Sequence, residues 1–158
     1  MFVFVRALTY ASLFVGLLLV FVPRQILTTS GLLPPPQFGP LGLCGVAVTV
    51  AGAALAAWCI LAFIVQGQGT PAPFDPPRRL VTKGPYQFVR NPMYLGAGLA
   101  LGGASLVYRS LALLAYSAAF LLAVHFFVLL YEEPTLLRLF GTEYEDYRRR
   151  VGRWLPRW

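Results

Sequence analysis

Charged side chains are scarce in this chain, and histidine and cysteine are scarcer still. Only 12% of the 158 residues are charged, and the chain holds one histidine and two cysteines. This is too little charge for the surface of a soluble domain of this length. Cys44 and Cys59 lie in one apolar stretch without a CxxC spacing or a nearby histidine, so the sequence predicts neither a disulfide framework nor a metal site.

Apolar residues are abundant instead, and they set the class of the protein. They make up 58% of the chain, and the mean hydropathy is +0.67. The net charge of +7 comes from basic residues that flank apolar runs and do not form a stripe along a soluble face. We therefore predict an integral membrane protein whose partners are membrane lipids, with no nucleic acid among them.

Four apolar runs predict an all-α protein with four transmembrane helices. The predicted spans are residues 2–22, 41–65, 92–108 and 111–131. A cleavable signal peptide is the alternative for the first run, but its start is nearly uncharged and the run is long for such a segment, so a retained span is favoured. Residues 23–40, which are rich in proline and glycine, are predicted to form a loop.

Lysine and arginine predict the orientation. They concentrate in the loop before the third span and in the tail after the fourth, so the positive-inside rule places both termini in the cytoplasm and the protein in the cytoplasmic (inner) membrane. The chain is then a single membrane domain. Its predicted parts are two N-terminal helices (1–66), a cytoplasmic loop (67–91), a transmembrane hairpin (92–131) and a cytoplasmic tail (132–158).

The tail is predicted to contain a short amphipathic helix over about residues 143–152. Thr142 and Glu145 fit the capping-box pattern that starts a helix. Tyr144, Tyr147 and Val151 then recur at helical spacing. This helix can fold back over the cytoplasmic ends of the third and fourth spans.

The stretch 84–98 is a polar, turn-rich entry that runs directly into an apolar helix. Asn91 is a good N-cap and Pro92 suits the first helical position, so a helix start is predicted here. The partial positive charge of a helix start suits a carboxylate or phosphate. Gly96 and Gly98 leave the helix surface bare, so either another helix or a flat ligand can approach the backbone.

A predicted pocket follows from the two-residue connection at 109–110, which makes the third and fourth helices antiparallel neighbours. Acidic, basic and aromatic groups then converge at the membrane interface. The converging residues are Arg90, Asn91, Tyr94, Gly96, Gly98, His125, Glu132 and Glu133. Acidic residues held near a membrane are functional candidates, although at a helix end they can simply be solvated.

The strings GPYQFVRNPMYLGAG and EEPTLLRLFGTEYEDYRRRV, in this order, resemble the C-terminal half shared by the isoprenylcysteine carboxyl methyltransferase and phospholipid methyltransferase families of membrane enzymes. The resemblance covers roughly residues 80–156. It implies S-adenosyl-L-methionine as cofactor and a methyltransferase activity. The cofactor-binding residues that it implies are Lys83, Gly84, Pro85, Tyr86, Asn91, Tyr94, Gly96, Ala97, Gly98 and Glu132.

Two departures from the isoprenylcysteine enzymes bear on the methyl acceptor. Their Arg-His-Pro is here Arg90-Asn91-Pro92, and Val128 stands one turn before Glu132, where those enzymes place an arginine associated with substrate. The resemblance therefore points to a lipid or another small hydrophobic acceptor more than to a prenylcysteine carboxylate. The type of methylation and the oligomeric state stay open.

The chemistry predicts roles for three further side chains. Methyl transfer from a sulfonium requires donor and acceptor in line in a dry pocket, and no nucleophilic side chain. Arg90 is predicted to hold the cofactor carboxylate. His125 or Glu133 is the candidate base if the acceptor needs deprotonation, and His125 has a hydrogen-bonded packing residue as its alternative.

Two other functions remain open at this point. Integral-membrane sterol reductases resemble this half-fold and bind a nicotinamide dinucleotide, so an NADPH-dependent reductase is one of them. A non-catalytic membrane component that uses its helices for assembly is the other, and its glycines and glutamates would then serve packing and solvation.

Overall fold

The computed structural model describes Thr9, Ser12 and residues 14–32, 39–67 and 78–157, and within these residues the regular structure is helical. In chain order the elements are a π-helical segment (Val15–Phe21), α1 (Val22–Thr29), α2 (Pro40–Ala62), a π-helical segment (Phe63–Gly67), a 3-10 turn (Gly84–Gln87), α3 (Pro92–Val107), α4 (Leu111–Phe127), a π-helical turn (Val128–Glu132), α5 (Glu133–Phe140) and α6 (Thr142–Arg150). The predicted all-α class is confirmed for these residues.

Two of the continuous helices are long and apolar enough to cross a membrane. They are Pro40–Gly67 and Leu111–Phe140, with mean hydropathies of 2.4 and 2.3 in their most apolar windows. Only 17% and 28% of those windows is buried inside the chain, so these helices turn most of their apolar surface outward, as lipid-facing helices do. Val15–Thr29 and Pro92–Val107 are shorter apolar helices. The arrangement is that of a membrane protein, and the count of four spans stays a prediction.

Helices α2 and α3 pack backbone against backbone through glycine. A Cβ built on Gly52 would lie 2.5 Å from the carbonyl oxygen of Gly96, and one built on Gly45 would lie 2.8 Å from that of Gly103. Neither distance leaves room for a side chain. Close contact of this kind is the usual way in which membrane helices associate, because small residues allow more van der Waals contact.

Helices α3 and α4 are neighbours, as the short connection between them predicts. Tyr94, Ala97 and Leu101 of α3 form one buried cluster with Phe120 and Val124 of α4. The hydroxyl of Ser117 adds a hydrogen bond across the pair by donating to the carbonyl of Gly98 at 3.2 Å. Helix α3 therefore lies between α2 and α4.

The predicted loop at 23–40 is wrong in its first part, since α1 occupies Val22–Thr29. Pro23 stands just after the π-helical segment, inside the continuous helix Val15–Thr29, and a π-type widening is a common way to absorb a missing N–H. Leu27 is buried and gives the helix a packed face. Residues 33–38 and 68–77, and most of the predicted first span before Val15, lie outside the described residues.

The fourth helix does not end near Tyr131, where its apolar run ends. It passes through the π-helical turn at Val128–Glu132 and continues as α5 to Phe140. Pro134 lies in the first turn of α5 and cannot donate a backbone hydrogen bond. A π turn is a common way to absorb such an interruption, and such turns are frequent at functional sites.

Both predicted caps differ from the structure in their side chains. Helix α6 spans Thr142–Arg150, close to the predicted range, but its N-cap is Gly141 and no capping box forms. Asn91 is the N-cap of α3 as predicted, yet its side chain makes no capping bond. Its amide is used in a long-range contact with the tail instead, described below.

Candidate functional site

The turn before α3 is fixed by a glycine and a buried tyrosine. Gly84 has φ +66°, a conformation that side-chain-bearing residues rarely adopt. Tyr86 is buried and packs edge-on against Phe63, with 5.5 Å between ring centroids. Burial raises the pKa of the Tyr86 phenol well above its ordinary value, so this side chain stays neutral. The predicted cofactor turn is thus anchored on the end of the second helix.

A tyrosine and a glutamate join the start of α3 to the π turn. The Tyr94 hydroxyl donates to Oε2 of Glu132 at 3.0 Å. Tyr94 is buried in the α3–α4 core, whereas Glu132 is half-buried. The sequence predicted both as cofactor-binding residues, and the structure brings them into direct contact. Together they place an oriented carboxylate at the polar end of the helix pair.

A second carboxylate, that of Glu133, is held between two arginines. Arg90 Nη1 lies 3.0 Å from Glu133 Oε1, and both side chains are almost fully buried, at 7% and 8% exposure. Arg153 donates to the same carboxylate twice, from Nε at 2.7 Å and from Nη2 at 2.8 Å. Bidentate pairing of this kind fixes the geometry of both partners.

Arg90 has one further side-chain partner, and its buried Nε has none among the described residues. It donates from Nη1 to the Tyr144 hydroxyl at 3.3 Å. Burial raises the pKa of Tyr144 to about 12, so the phenol remains a neutral hydrogen-bonding group. Arg90 Nε is buried and has no hydrogen-bond partner among the described residues. An unpaired buried donor is costly, which makes this atom a place for an incoming acceptor.

The chain after α6 is bound directly to the start of α3. The backbone N–H of Arg90 donates to the carbonyl of Gly152 at 2.9 Å. The Asn91 amide donates to the carbonyl of Arg153 at 3.3 Å, and the Tyr147 hydroxyl donates to the carbonyl of Tyr86 at 2.6 Å. The tail therefore forms a wall of the site, as the predicted folding-back of its helix requires.

His125 lies deeper along α4 and has a tail residue as its partner. The indole N–H of Trp154 donates to His125 Nδ1 at 3.0 Å, and the two ring centroids are 6.1 Å apart. Both side chains border an open, apolar groove of about 450 Å³. The groove is lined by Leu95, Ala118, Leu121, Leu122, His125 and Trp154.

The structure brings some of the predicted site residues together and separates others. Arg90, Asn91, Tyr94, Glu132 and Glu133 all lie where α3 begins and α5 begins, within one hydrogen-bonded region. The other predicted positions are distributed around it. Lys83 is exposed, Pro85 and Ala97 are buried, and His125 lies at the groove.

Gly96 and Gly98 face neighbouring helices. A Cβ on Gly96 would lie 2.7 Å from the carbonyl oxygen of Gly52, and one on Gly98 would lie 2.6 Å from the Leu121 side chain. Of the two alternatives that the sequence left open, the approach of another helix is the one seen at Gly96. The cofactor-lining role of both glycines stays a prediction.

Arg153 and Trp154 were not predicted as site residues. They follow the end of α6, outside its periodic pattern and outside any motif, so Arg153 counted only as tail charge. What places them is the pairing of Val89 with Gly152, a contact between residues far apart in the chain. No local signal reports such a contact.

One comparison with known proteins assigns the chain to a family. A family model described as phospholipid methyltransferase matches residues 41–143, which is more than half of the chain. No curated protein and no solved structure matches the chain. The matched range contains α2 to α5, and with them the Tyr94–Glu132 pair and the Arg90–Glu133 pair. The chain belongs to the phospholipid methyltransferase family.

Proposed function

We propose that the protein is an integral membrane methyltransferase that transfers a methyl group from S-adenosyl-L-methionine to a lipid or another small hydrophobic acceptor. The observation that carries the proposal is the Tyr94–Glu132 pair beside the Arg90–Glu133 pair. These groups lie inside the range matched by the family, next to an apolar groove between two membrane helices.

The charges of the site fit this cofactor. S-adenosyl-L-methionine carries an ammonium, ribose hydroxyls and a carboxylate, and when bound it supplies an electrophilic methyl group on a sulfonium. Glu132 would hold the ammonium or the ribose, with Tyr94 orienting its carboxylate. The unpaired Nε of Arg90 would donate to the cofactor carboxylate. This buried donor, which has no partner among the described residues, is a feature that supports binding of a carboxylate.

The remaining cofactor contacts are proposed from the turn and the helix start. They comprise Lys83, Gly84, Pro85, Tyr86, Asn91, Gly96, Ala97 and Gly98. In the structure the Tyr86 ring packs against Phe63 and its backbone carbonyl accepts from Tyr147, so Tyr86 would act by fixing the shape of the turn. Asn91 binds the tail, so it would act by closing the site.

The chain's own contribution to the reaction is positioning and exclusion of water. The tail covers the start of α3, and apolar side chains line the approach from the groove. A dry, pre-arranged site lowers the barrier of an in-line displacement by fixing the reacting atoms and by strengthening electrostatic contacts. Glu133 carries two arginine partners, which suits a structural role; its role as a base stays a prediction, as does that of His125.

The finer topology belongs to the same proposal. Four spans with both termini in the cytoplasm would place the Lys- and Arg-rich segments, and with them the site, on the cytoplasmic side. The family match gives no support to the reductase or to the assembly protein as alternatives.

The test is calorimetric titration of the detergent-purified protein with S-adenosylhomocysteine, in parallel with NADPH. We expect saturable binding of S-adenosylhomocysteine alone. Glu132→Gln should weaken it about tenfold or more, since a charge-assisted hydrogen bond contributes roughly 1.5–3 kcal/mol. Glu143→Gln, in the exposed first turn of α6, is the matched control and should bind as the unmodified protein does. Folded protein that binds neither ligand, or that binds NADPH alone, contradicts the proposal.

A further inference from the structure

Trp154 determines which nitrogen of His125 carries the proton. The indole N–H can only donate, and it donates to Nδ1 at 3.0 Å. Nδ1 must therefore present its lone pair. In a neutral imidazole with a lone pair on Nδ1, the proton is on Nε2. His125 is thus held as a hydrogen-bond donor at Nε2.

The position of Trp154 is itself fixed by its neighbours. Arg153 is bound to Glu133 through two hydrogen bonds, and Gly152 pairs with the chain before α3. The Trp154 side chain packs against the cluster formed by α3 and α4. The indole donor is therefore anchored by the two residues that precede it and by the packing of its own side chain.

The Nε2 donor of His125 has no partner in the part of the chain that the structure describes. No described residue accepts a hydrogen bond from it, and it is not sealed inside the protein. His125 borders a groove whose other side chains, Trp154 apart, are aliphatic. A donor in apolar surroundings is costly when unpaired, so the groove suits a largely apolar ligand that brings one acceptor oxygen.

We infer that the groove binds the acceptor phospholipid, with His125 donating from Nε2 to an ester or phosphate oxygen and Trp154 acting as the positioning residue. This inference rests on the proposed function. His125 lies seven residues before Glu132, which is ~10 Å deeper along the helix. The lipid amine would then lie toward Glu132, and the ester or phosphate oxygen would lie deeper. In this role His125 is a specificity determinant and not a base.

The single histidine makes a direct spectroscopic test possible. We would label histidine with ¹⁵N, purify the full chain without a histidine tag, and record long-range ¹H–¹⁵N spectra in phosphatidylethanolamine nanodiscs. We expect the tautomer with the proton on Nε2. Trp154→Phe should shift Nδ1 and allow the other tautomer. A proton on Nδ1 in the unmodified protein, or spectra unchanged by Trp154→Phe, overturns the inference.

Lipid binding is tested in the same samples by changing the lipid. Relative to protein in lipid-free detergent, the Nε2 resonance should shift with diacyl phosphatidylethanolamine. A shift that persists with the dialkyl ether lipid identifies the phosphate as acceptor; a shift lost with the ether lipid identifies the ester. No shift with either lipid overturns the inference.

Steady-state kinetics distinguish the role of His125 as a hydrogen-bond donor from a role as a base. His125→Leu should raise the KM for phosphatidylethanolamine about tenfold, as loss of a hydrogen bond does, with a smaller effect on kcat. His125→Gln, which keeps an N–H donor but cannot act as a base, should recover most of that loss. Loss of kcat in both variants contradicts the inference. Titration with S-adenosylhomocysteine is the independent check on the proposed function. If S-adenosylhomocysteine does not bind, the proposed function is contradicted. If it binds but the histidine tests give the opposite results, only the inference about His125 is contradicted.

Discussion

Single side chains determine the polar end of the helix pair. The sequence predicted that four of these side chains lie close together, because the short connection between α3 and α4 makes the two helices antiparallel neighbours. They are Arg90, Tyr94, Glu132 and Glu133. Their pairing was not predictable. The pairing depends on the π turn, which directs Glu132 toward Tyr94 and Glu133 toward the arginines.

Tyr94→Phe removes the hydroxyl that orients Glu132 and keeps the buried ring. We expect S-adenosylhomocysteine to bind about 3- to 10-fold more weakly, since one hydrogen bond contributes roughly 0.5–1.5 kcal/mol. Tyr116→Phe is the matched control, because its hydroxyl donates to the carbonyl of Leu18, away from the site. Calorimetric titration of both variants measures the difference. Equal affinities in the two would show that Tyr94 does not support the cofactor.

Glu133→Gln leaves two guanidinium groups without their shared carboxylate. Because Arg90 and Glu133 are almost fully buried, we expect a loss of about 3 kcal/mol in the free energy of unfolding. Glu143→Gln in exposed surroundings should leave stability within about 0.5 kcal/mol. Denaturant or thermal unfolding in detergent compares them. A Glu133→Gln protein as stable as the control would mean that the triad contributes little to folding.

At the scale of the elements, local signals predicted starts better than ends. Pro92 and Leu111 begin α3 and α4 as predicted, because each follows an N-cap residue or a tight turn. Helix α1 was missed because Pro23 fits either a loop or a first helical turn. The continuation of α4 into α5 was missed because the prediction followed the apolar run. A helix can continue beyond the end of its apolar run, as this one does to Phe140.

Adjacent glycines of α3 provide a test of the close contact with α2. A Cβ on Gly103 would lie 2.5 Å from Thr49 atoms, whereas the nearest atom to one on Gly102 is Ser117 Oγ, at 3.9 Å. Gly103→Ala should therefore cost about 1–3 kcal/mol through overpacking. Gly102→Ala should be neutral or stabilising by up to ~1 kcal/mol, since alanine favours helix. Unfolding measurements that rank the two variants in the opposite order would show that α2 and α3 do not pack this closely.

For the whole molecule, the family, the membrane class and the folding-back of the tail helix could be predicted from the sequence, whereas the individual contacts that hold the tail could not. Composition was sufficient to predict the membrane class, and two ordered motifs were sufficient to predict the family. The family match confirms the family. The tail is placed by contacts such as Arg90 with Gly152 and Tyr147 with Tyr86, which join residues about sixty positions apart. Local patterns carry no information about such pairs.

Removal of the tail end should affect the cofactor site as well as stability. A chain ending at Val151 loses Arg153 and Trp154, so Glu133 keeps Arg90 as its remaining arginine partner, and the backbone N–H of Arg90 loses the Gly152 carbonyl. We expect a lower melting temperature and at least a tenfold loss of S-adenosylhomocysteine affinity. A chain ending at Leu155, which is 77% exposed, retains these contacts and is the control. Unchanged affinity in the shorter chain would show that the tail wall is dispensable.

The glycine contacts between α2 and α3 also determine which pair of helices can separate to admit a lipid. With their backbones touching at Gly45–Gly103 and at Gly52–Gly96, these two helices form one stiff block with no gap for an acyl chain. The α3–α4 side is held by side chains, which change rotamer without moving a backbone. For the proposed lipid acceptor, exchange with the bilayer is therefore expected across α4. A crosslink between α3 and α4 should then stop the proposed methyl transfer, whereas one between α2 and α3 should not.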